Sequence, residues 1–520
     1  MKVNRIAVPG IGVPGIAVAA GAALLLAGCS GTAQNSAVTS AANPDATLVV
    51  GMTADPTQLV PWTSTSVQSQ QLLGQLYSPL LALDMQSKVI ANLADLPQVS
   101  GDGLSYTFAL KQGVKFSGGS DLTSKDVKYT FDKIKDPATK ATSASYFASV
   151  ATVDAPDPKT VVVHLKAPDA SFVTGLTNIN TSIVPSDVSV DSLSTKPDGS
   201  GPFQFVSRNP NESISLKRNP NYFGGKVGAG NLTFRIIPDK QAMVSALKSG
   251  SVQVAIFDDP VVAKTATTSK VEVKSVDSLQ IHVLQLRATS PDLSDVNRRL
   301  AIQCAVSRQD VVNGAALGAG SITGPITSPQ FRSDPNAQPC PTQDLTKAKE
   351  YLAKAGVPNG FSLKLITSQG LYSTAVNEAQ AVQDQLGKIG ITVNVETLDS
   401  NSYVQRWLAA DFSAAIAANG GSADPNTMYA RFFTSKGSFN KVTGYTTPEL
   451  DALFAQGVAT ADQTQRQAIY KQISEQMVTK APWVWLFTPK DFIAVNTSVQ
   501  GFEARTDADL SMLWKASASA

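Results

Sequence analysis

Between Leu104 and Phe131 the chain reads LSYTFALKQGVKFSGGSDLTSKDVKYTF, and few structures satisfy that order of residues. Tyr106, Phe108 and Leu110 alternate with Thr107, Ala109 and Lys111, the period of a half-buried strand. Gly118 and Gly119 supply a turn where a side chain would restrict the backbone. Thr123 stands three residues before Asp126, the spacing of a capping box at a helix start. Val127, Phe131 and Ile134 then fall on one apolar helix face. A strand, a tight turn and an amphipathic helix in close succession are predicted.

Similar punctuation runs through the rest of the chain. Thr47 to Met52 and Thr160 to Lys166 have strand character, and Leu232 to Ile237, Asp239 to Ser249 and Val252 to Phe257 form a β-α-β unit whose helix stops at Gly250. Helices are predicted over Asp295 to Val312 and Lys347 to Ala355, the second ended by Gly356. A strand at Phe361 to Thr367, a helix through Val376 and Ile389 ended by Gly390, and a strand at Ile391 to Leu398 follow. Late helices cover Pro448 to Val458 and Gln463 to Thr479, and two strands, Trp483 to Thr488 and Phe492 to Asn496, return to an earlier sheet. Alternating helix and strand with short links predicts α/β lobes. The length of the body calls for two or three of them.

The opening stretch resembles the family 5 solute-binding proteins, the peptide, dipeptide and nickel receptors of bacterial ABC importers. The resembling residues are Y-T-F-x-L-K-x-G-V-K-F, a Gly turn and L-T-x-x-D-V. GSGPFQF, R-N-P-N-Y at Arg218 to Tyr222, SALKSG, N-R-R-L-A-I-Q-C-A-V-S-R-Q-D-V-V and A-D-P-N-T-M sit in that family's order. The resemblance implies a periplasmic-binding-protein-like α/β fold of two hinge-linked lobes plus an extra middle lobe. Lobe I would comprise 47–82, 190–285 and 486–520, lobe II (the extra lobe) 83–189, and lobe III 286–485. It also implies a monomer that serves importer membrane subunits.

The first residues read as an export segment. Lys2 and Arg5 precede an uninterrupted small and apolar run, Ile16 to Ala27, which is too short and wrongly flanked for a spanning helix. Leu26-Ala27-Gly28-Cys29 resembles the bacterial lipobox, which implies a signal peptide at 1–28, lipidation of Cys29 and an extracytoplasmic body held at the membrane by its lipid. From Ser30 to Ala46 the chain is mostly Ser, Thr, Ala, Gly and Asn with almost no large apolar side chain, so that 29–46 has the composition of a flexible tether. The chain carries 43 basic and 41 acidic residues; with Lys2 and Arg5 in the leader, the body is near neutral. No basic stripe appears, which argues against nucleic acid as a partner. Cys304 and Cys340 are the remaining cysteines. Export favours a disulfide between them, and the helical spacing of Cys304 from Leu300 and Val296 leaves buried thiols as the other reading.

Enzyme chemistry finds little to work with. His164 and His282 are the only histidines, each on a strand, where a lone His is a surface or core filler. There is no HExxH, CxxC or G-x-S-x-G, and Gly314 to Gly320 lacks the Lys-Ser/Thr of a phosphate loop, so neither a metal nor a cofactor is expected. A secreted hydrolase using scattered carboxylates is the reading from another class.

A binding cleft needs converging polar groups and aromatic walls between lobes. Asn419-Gly420-Gly421-Ser422-Ala423-Asp424-Pro425 follows the strand Phe412 to Ala418, the strand end that α/β ligands favour. On residues alone this is also an ordinary surface turn; the resemblance makes it a ligand-lining loop. Many peptide binders of the family have Asp three residues before the D-P pair, against the peptide amine. Here Gly421 fills that slot, and Asp424 is the substitute carboxylate. Arg287, where the family commonly has Asn, offers a fork for a carboxylate, or is a solvated strand-end residue. Trp62, Asn419, Asp424, Tyr429 and Trp485 are expected to line the cleft, with Arg287 as a further contact. A small peptide is the expected ligand; a sugar, an opine-like compound or another polar solute is the alternative.

Overall fold

The strand Trp483–Asn496 organises the fold, because it belongs to two groups of strands at once. In the computed structural model, which describes residues 45–56 and 58–518, its first half pairs antiparallel with Ile281–Leu286. Its second half pairs with Val254–Phe257 and with Val271–Asp277. The exchange of partners falls at Pro489, which has no N–H to give a ladder. Two separate strands are expected there from the sequence, and one continuous strand of 14 residues is found. A bulge opposite His282 and Val283 puts Leu486 and Phe487 on the same side, so the strand's inward faces change across it. The expected export segment at 1–28, Cys29 and most of the 29–46 tether lie outside the described residues.

Around the first half of that strand, Ser362–Gln369 runs parallel to Thr392–Asp399 and to Ala414–Asn419, and Ala414–Asn419 pairs antiparallel with Ile281–Leu286. Helix Ala375–Gly387 makes the crossover between the first two. Around the second half, Thr47–Met52 lies parallel to Asn231–Ile236 and Val254–Phe257, and Ser213–Arg218 and Phe203–Asn209 complete the edge. Helix Lys240–Ser249 is capped by Asp239, whose carboxylate accepts from the Ala242 N–H, and it ends at Gly250 with φ 78°. The boundary between lobes I and III, expected between 285 and 286, falls inside the strand Ile281–Leu286, which pairs with Ala414–Asn419 and with the first half of Trp483–Asn496.

The opening motif folds as its pattern demands. Ser105–Ala109 buries Tyr106 and Phe108 within a separate four-stranded antiparallel sheet. The helix Ser124–Lys135 follows, and the Thr123 N–H donates to Asp126 Oδ2 at 2.8 Å. Asp126 Oδ1 accepts from Ser186, so the cap also fixes a segment 60 residues away. Val127, Phe131 and Ile134 are buried, Phe131 against Phe147.

The helix expected over Asp295 to Val312 is two helices, Val296–Ala305 and Arg308–Ala315. Val306 is extended, Ser307 caps the second helix, and the Ser307 N–H donates to Gln385 Oε1. Cys304 and Cys340 are joined, with Cα atoms 5.0 Å apart and both residues buried. No helix among the described residues is long and apolar enough to cross a membrane.

Candidate functional site

The two strand groups are connected at one seam. The chain passes from one to the other at Ser278 to Gln280 and again at Thr488 to Lys490, and Gly320–Ser321 pairs with Thr488 and Pro489 beside them. Asp277 collects the polar groups at this seam. Its Oδ1 accepts from Lys490 Nζ at 2.8 Å and from Ser321 Oγ at 3.2 Å, and Arg332 lies 3.9 Å from Oδ2. Burial works to raise the Asp277 pKa, but the hydrogen bond and charge of Lys490, with Ser321 and Arg332, hold it below the usual 3.8. A backbone that crosses twice at adjacent points is the geometry of a hinge.

From the seam, Ala414–Asn419 ends at Asn419 opposite Ile281, and the loop to the helix Pro425–Phe433 begins. The loop is pressed onto its neighbours. A Cβ on Gly421 would lie 1.9 Å from the Leu279 carbonyl oxygen, so this backbone approach admits only glycine. Ser328 Oγ donates to the Ser422 carbonyl at 2.7 Å. Asp424 is buried and both its oxygens are engaged: Oδ1 caps the helix through the Asn426 N–H at 2.9 Å, and Oδ2 receives Arg466 Nη1 at 2.5 Å. The Arg466 Nε donates to the Gly457 carbonyl, and its guanidinium lies over Phe331 and Tyr470. Burial opposes the charge on Arg466, yet Asp424 outweighs it and the guanidinium pKa is raised.

The other expected site residues divide by position. Asn419, Tyr429 and Trp485 lie with Asp424 on the side of the sheet covered by Pro425–Phe433. Tyr429 is buried, its hydroxyl accepts from the Thr327 N–H at 3.1 Å, and burial pushes its pKa up to about 12. Trp485 packs with Trp483 and Phe433, and both indole N–H groups lack an acceptor among the described residues, as does the Asn419 side-chain amide nitrogen. Trp62 is fully buried in the other strand group, its indole N–H likewise unpaired, while its carbonyl accepts from Thr142. Arg287 lies at the far end of Ile281–Leu286 from Asn419, about 20 Å along the strand. There its Nε donates to the Phe412 carbonyl at 2.7 Å. The structure thus does not bring Arg287 to the loop, because strand direction carries it to the opposite end of the strand.

Three features escape a linear reading. His282 is buried, with Nδ1 2.7 Å from Glu378 Oε1 and Nε2 3.2 Å from Gln280 Oε1, and its ring packs on Tyr372 and Phe487. Its partner is 96 residues away. Asp277 gives no signal before its strand is seen to end at the seam. Arg431, on the half-exposed face of Pro425–Phe433, lies over Phe432 and Phe439. Among the described residues, no group of three or more His, Cys, Asp or Glu is gathered to hold a metal.

Residues 88–440 match the family described as bacterial extracellular solute-binding proteins, family 5 Middle. The glutathione-binding protein GsiB of Escherichia coli O6:K15:H31 is 27% identical over 510 residues, covering 94% of this chain and 96% of that protein. Among solved structures, DppA of Helicobacter pylori in complex with the peptide STSA superposes with a TM-score of 0.73 at 25% identity, over 92% of this chain and 98% of the other. AgaA of A. tumefaciens R10 in complex with agropinic acid gives 0.73 at 26% identity, over 91% and 99%.

Proposed function

Because the chain belongs to family 5 of the bacterial extracellular solute-binding proteins, we propose that its two strand groups close on a small peptide or similar polar solute and deliver it to an importer's membrane subunits. The chain is a substrate-binding protein of an ABC transporter, not an enzyme. The observation that carries the ligand reading is a set of buried donors without acceptors among the described residues, the indole N–H groups of Trp62 and Trp485 and the Asn419 amide, divided between the two strand groups. Buried donors left unpaired are costly, and a polar solute enclosed between the halves would satisfy them. In this reading Trp62, Asn419 and Trp485 contact the solute. Asp424 and Tyr429 shape the wall from behind, their polar atoms being committed to Arg466, Asn426 and Thr327. Arg287 is left outside the site.

The lobes proposed are the group around Thr47–Met52 with its attached four-stranded sheet, and the group around Ile281–Leu286, hinged at 278–280 and 488–490. Lipidation at Cys29, an extracytoplasmic monomer and a tether over 29–46 complete the reading. A Cys29→Ala chain is expected to lose fatty-acid labelling and leave the membrane fraction.

A non-peptide solute is the second reading, and Gly421 favours it. The slot that would pair with a peptide amine has no room for a carboxylate, and Asp424 is already paired. Calorimetry and small-angle scattering with glutathione, di- to tetrapeptides and an opine-like acid test both. A one-to-one heat with a smaller radius of gyration is expected. Heat from the opine-like acid alone would transfer the assignment to the second reading, and heat without contraction would remove hinge closure.

A further inference from the structure

The segment 327–332 is a short strap whose ends meet. The Ser333 N–H donates to the Ile326 carbonyl at 3.0 Å, and the Ile326 N–H donates to Ser333 Oγ at 2.7 Å. Between these ends, successive residues grip different parts of the half around Ile281–Leu286. The Thr327 N–H donates to the Tyr429 hydroxyl, and Ser328 Oγ donates to the Ser422 carbonyl of the candidate solute loop. Phe331 packs edge-on against Tyr470 at 5.3 Å, beneath the Arg466 guanidinium. The Gln467 side chain donates to the Gln330 carbonyl at 2.7 Å, and Arg332 lies 3.9 Å from Asp277 at the hinge. A segment tied at this many points moves with the body that holds it.

One group on the strap reaches the opposite half. Gln330 Nε2 donates to the Gln86 carbonyl at 2.7 Å, joining residues 244 apart in the chain. Gln86 sits in the turn between Leu81–Leu83 and Val89–Ala91, and Leu81 packs in one core with Leu48 and Val254. That turn holds its carbonyl in a fixed frame, because Asp84 Oδ1 accepts from the Gln86 and Lys88 N–H groups at 2.8 and 2.9 Å. A second bond crosses at Ala170, whose N–H donates to the Val458 carbonyl at 2.8 Å. Ala170 precedes the helix Ser171–Gly175, whose Phe172 lies in the same core as Leu81. Val458 is in the last turn of Pro448–Ala459, whose Leu450 and Phe454 pack in the core of Ile281 and Trp485. A carbonyl in a helix's last turn has no partner within the helix, so here a donor from the opposite half completes it.

We propose that these two bonds form a closure latch, in which Gln330 and Ala170 hold the halves together and the strap couples that latch to the solute loop and the hinge. Neither bond uses a solute atom, so both favour the closed arrangement before a solute enters. Solvent access keeps the Gln330 bond weak: Gln86 is exposed, and water replaces either partner on opening. A weak latch shifts the balance between open and closed forms without trapping the solute. Ser328 grips the solute loop and Gln330, two residues on, grips the other half. A loop steadied by solute therefore steadies the latch as well, through a contiguous set of contacts. This rests on the reading that the halves hinge at 278–280 and 488–490.

The test compares the full chain with two variants, using thermal unfolding as the folding control. Gln330→Ala removes the side-chain donor, and Ala170→Pro removes the N–H at a residue whose φ of −69° proline accepts. Small-angle scattering without solute is expected to give each folded variant a larger radius of gyration than the wild type, and the double variant a larger one still. Gln330→Ala decides alone should Ala170→Pro fail to fold. Where glutathione, trialanine or an opine-like acid binds the wild type, each variant should raise its Kd about three- to tenfold, through a faster release. Larger radii in the variants support the latch whether or not a probe binds. Equal radii in the wild type and the folded variants, while a probe still contracts the wild type, overturn the latch and leave the hinge standing. Equal radii with no contraction by any probe remove the hinge reading and the latch with it.

Discussion

Asp277 Oδ1 and Lys490 Nζ lie 2.8 Å apart across the two chain segments that join the halves of the molecule. One residue ends the strand before the first crossing, and the other begins the ladder after the second. Their pairing therefore ties both hinge segments together. Asp277→Asn is expected to loosen the hinge and to cost up to about 1 kcal/mol in unfolding, since the pair is partly exposed. The pH dependence has a definite sign. A carboxyl with a folded pKa below 3.8 contributes stability above its unfolded value and loses it as pH falls through the lower folded value. Urea melts from pH 5 down to pH 2 should therefore show a shallower acid loss in Asp277→Asn than in the wild type. Identical slopes would remove Asp277 from the account of acid sensitivity.

Asp424 is a natural ligand candidate by sequence, and its surroundings predict a different phenotype. Asp424→Ala strips the partner from a buried guanidinium and the cap from a helix. The first loss alone is about 3–5 kcal/mol by the behaviour of broken buried pairs, and the cap adds about 1 kcal/mol. Denaturant melts should show this loss. The residual folded protein, measured at low temperature, should bind its solute within a few-fold of wild type. A protein of normal stability with abolished binding would place Asp424 at the ligand instead.

The contrast between Asp424 and the opening motif explains what the sequence makes legible. Leu104 to Phe131 is readable because its determinants are close in the chain: alternation, a Gly pair, a cap three residues from its partner. Gly250, Gly356 and Gly390 end their helices with φ of 78°, 71° and 86°, again a local matter. The break at Val306 is not local, since Gln385 receives the Ser307 N–H from 78 residues away. Nor is the unbroken strand through Pro489, whose neighbours Gly320 and Ser278 come from distant segments. In the candidate site the loop at Asn419 to Asp424 was visible as a strand-end turn. That Arg466 would consume Asp424, and that strand direction would carry Arg287 to the opposite end of its strand, depends on pairings no spacing encodes.

The Cys304–Cys340 bridge closes a loop with a sequence separation of 36, between the helix Val296–Ala305 and the segment ahead of Leu345–Lys354. Constraining an unfolded loop of that length is worth about 3–4 kcal/mol in the chain-entropy model. The double Cys→Ala chain, or the wild type kept in reductant, should lose about that much stability without a change in solute affinity, because both sulfurs are buried in the core of one lobe, not at the seam. Intact mass after alkylation without reductant should show no labelled thiol from this pair.

Gly421 offers the sharpest discrimination between ligand classes. If the chain were a peptide receptor that had merely lost its amine-binding carboxylate, Gly421→Asp would restore it and tighten peptide binding. The Leu279 carbonyl predicts otherwise. With a Cβ placed 1.9 Å from that oxygen, and the obstacle being backbone, the loop must shift, at a cost of about 1–3 kcal/mol as in other overpacked sites. Gly421→Ala should carry most of that cost without any charge, which separates crowding from electrostatics. Both variants should also weaken binding of the native solute, because the displaced loop links Asn419 to the start of the helix Pro425–Phe433. A Gly421→Asp protein that keeps its stability and gains affinity for a free peptide amine would show that the approach to Leu279 is not obligatory, and would return an ordinary peptide to first place among the ligands.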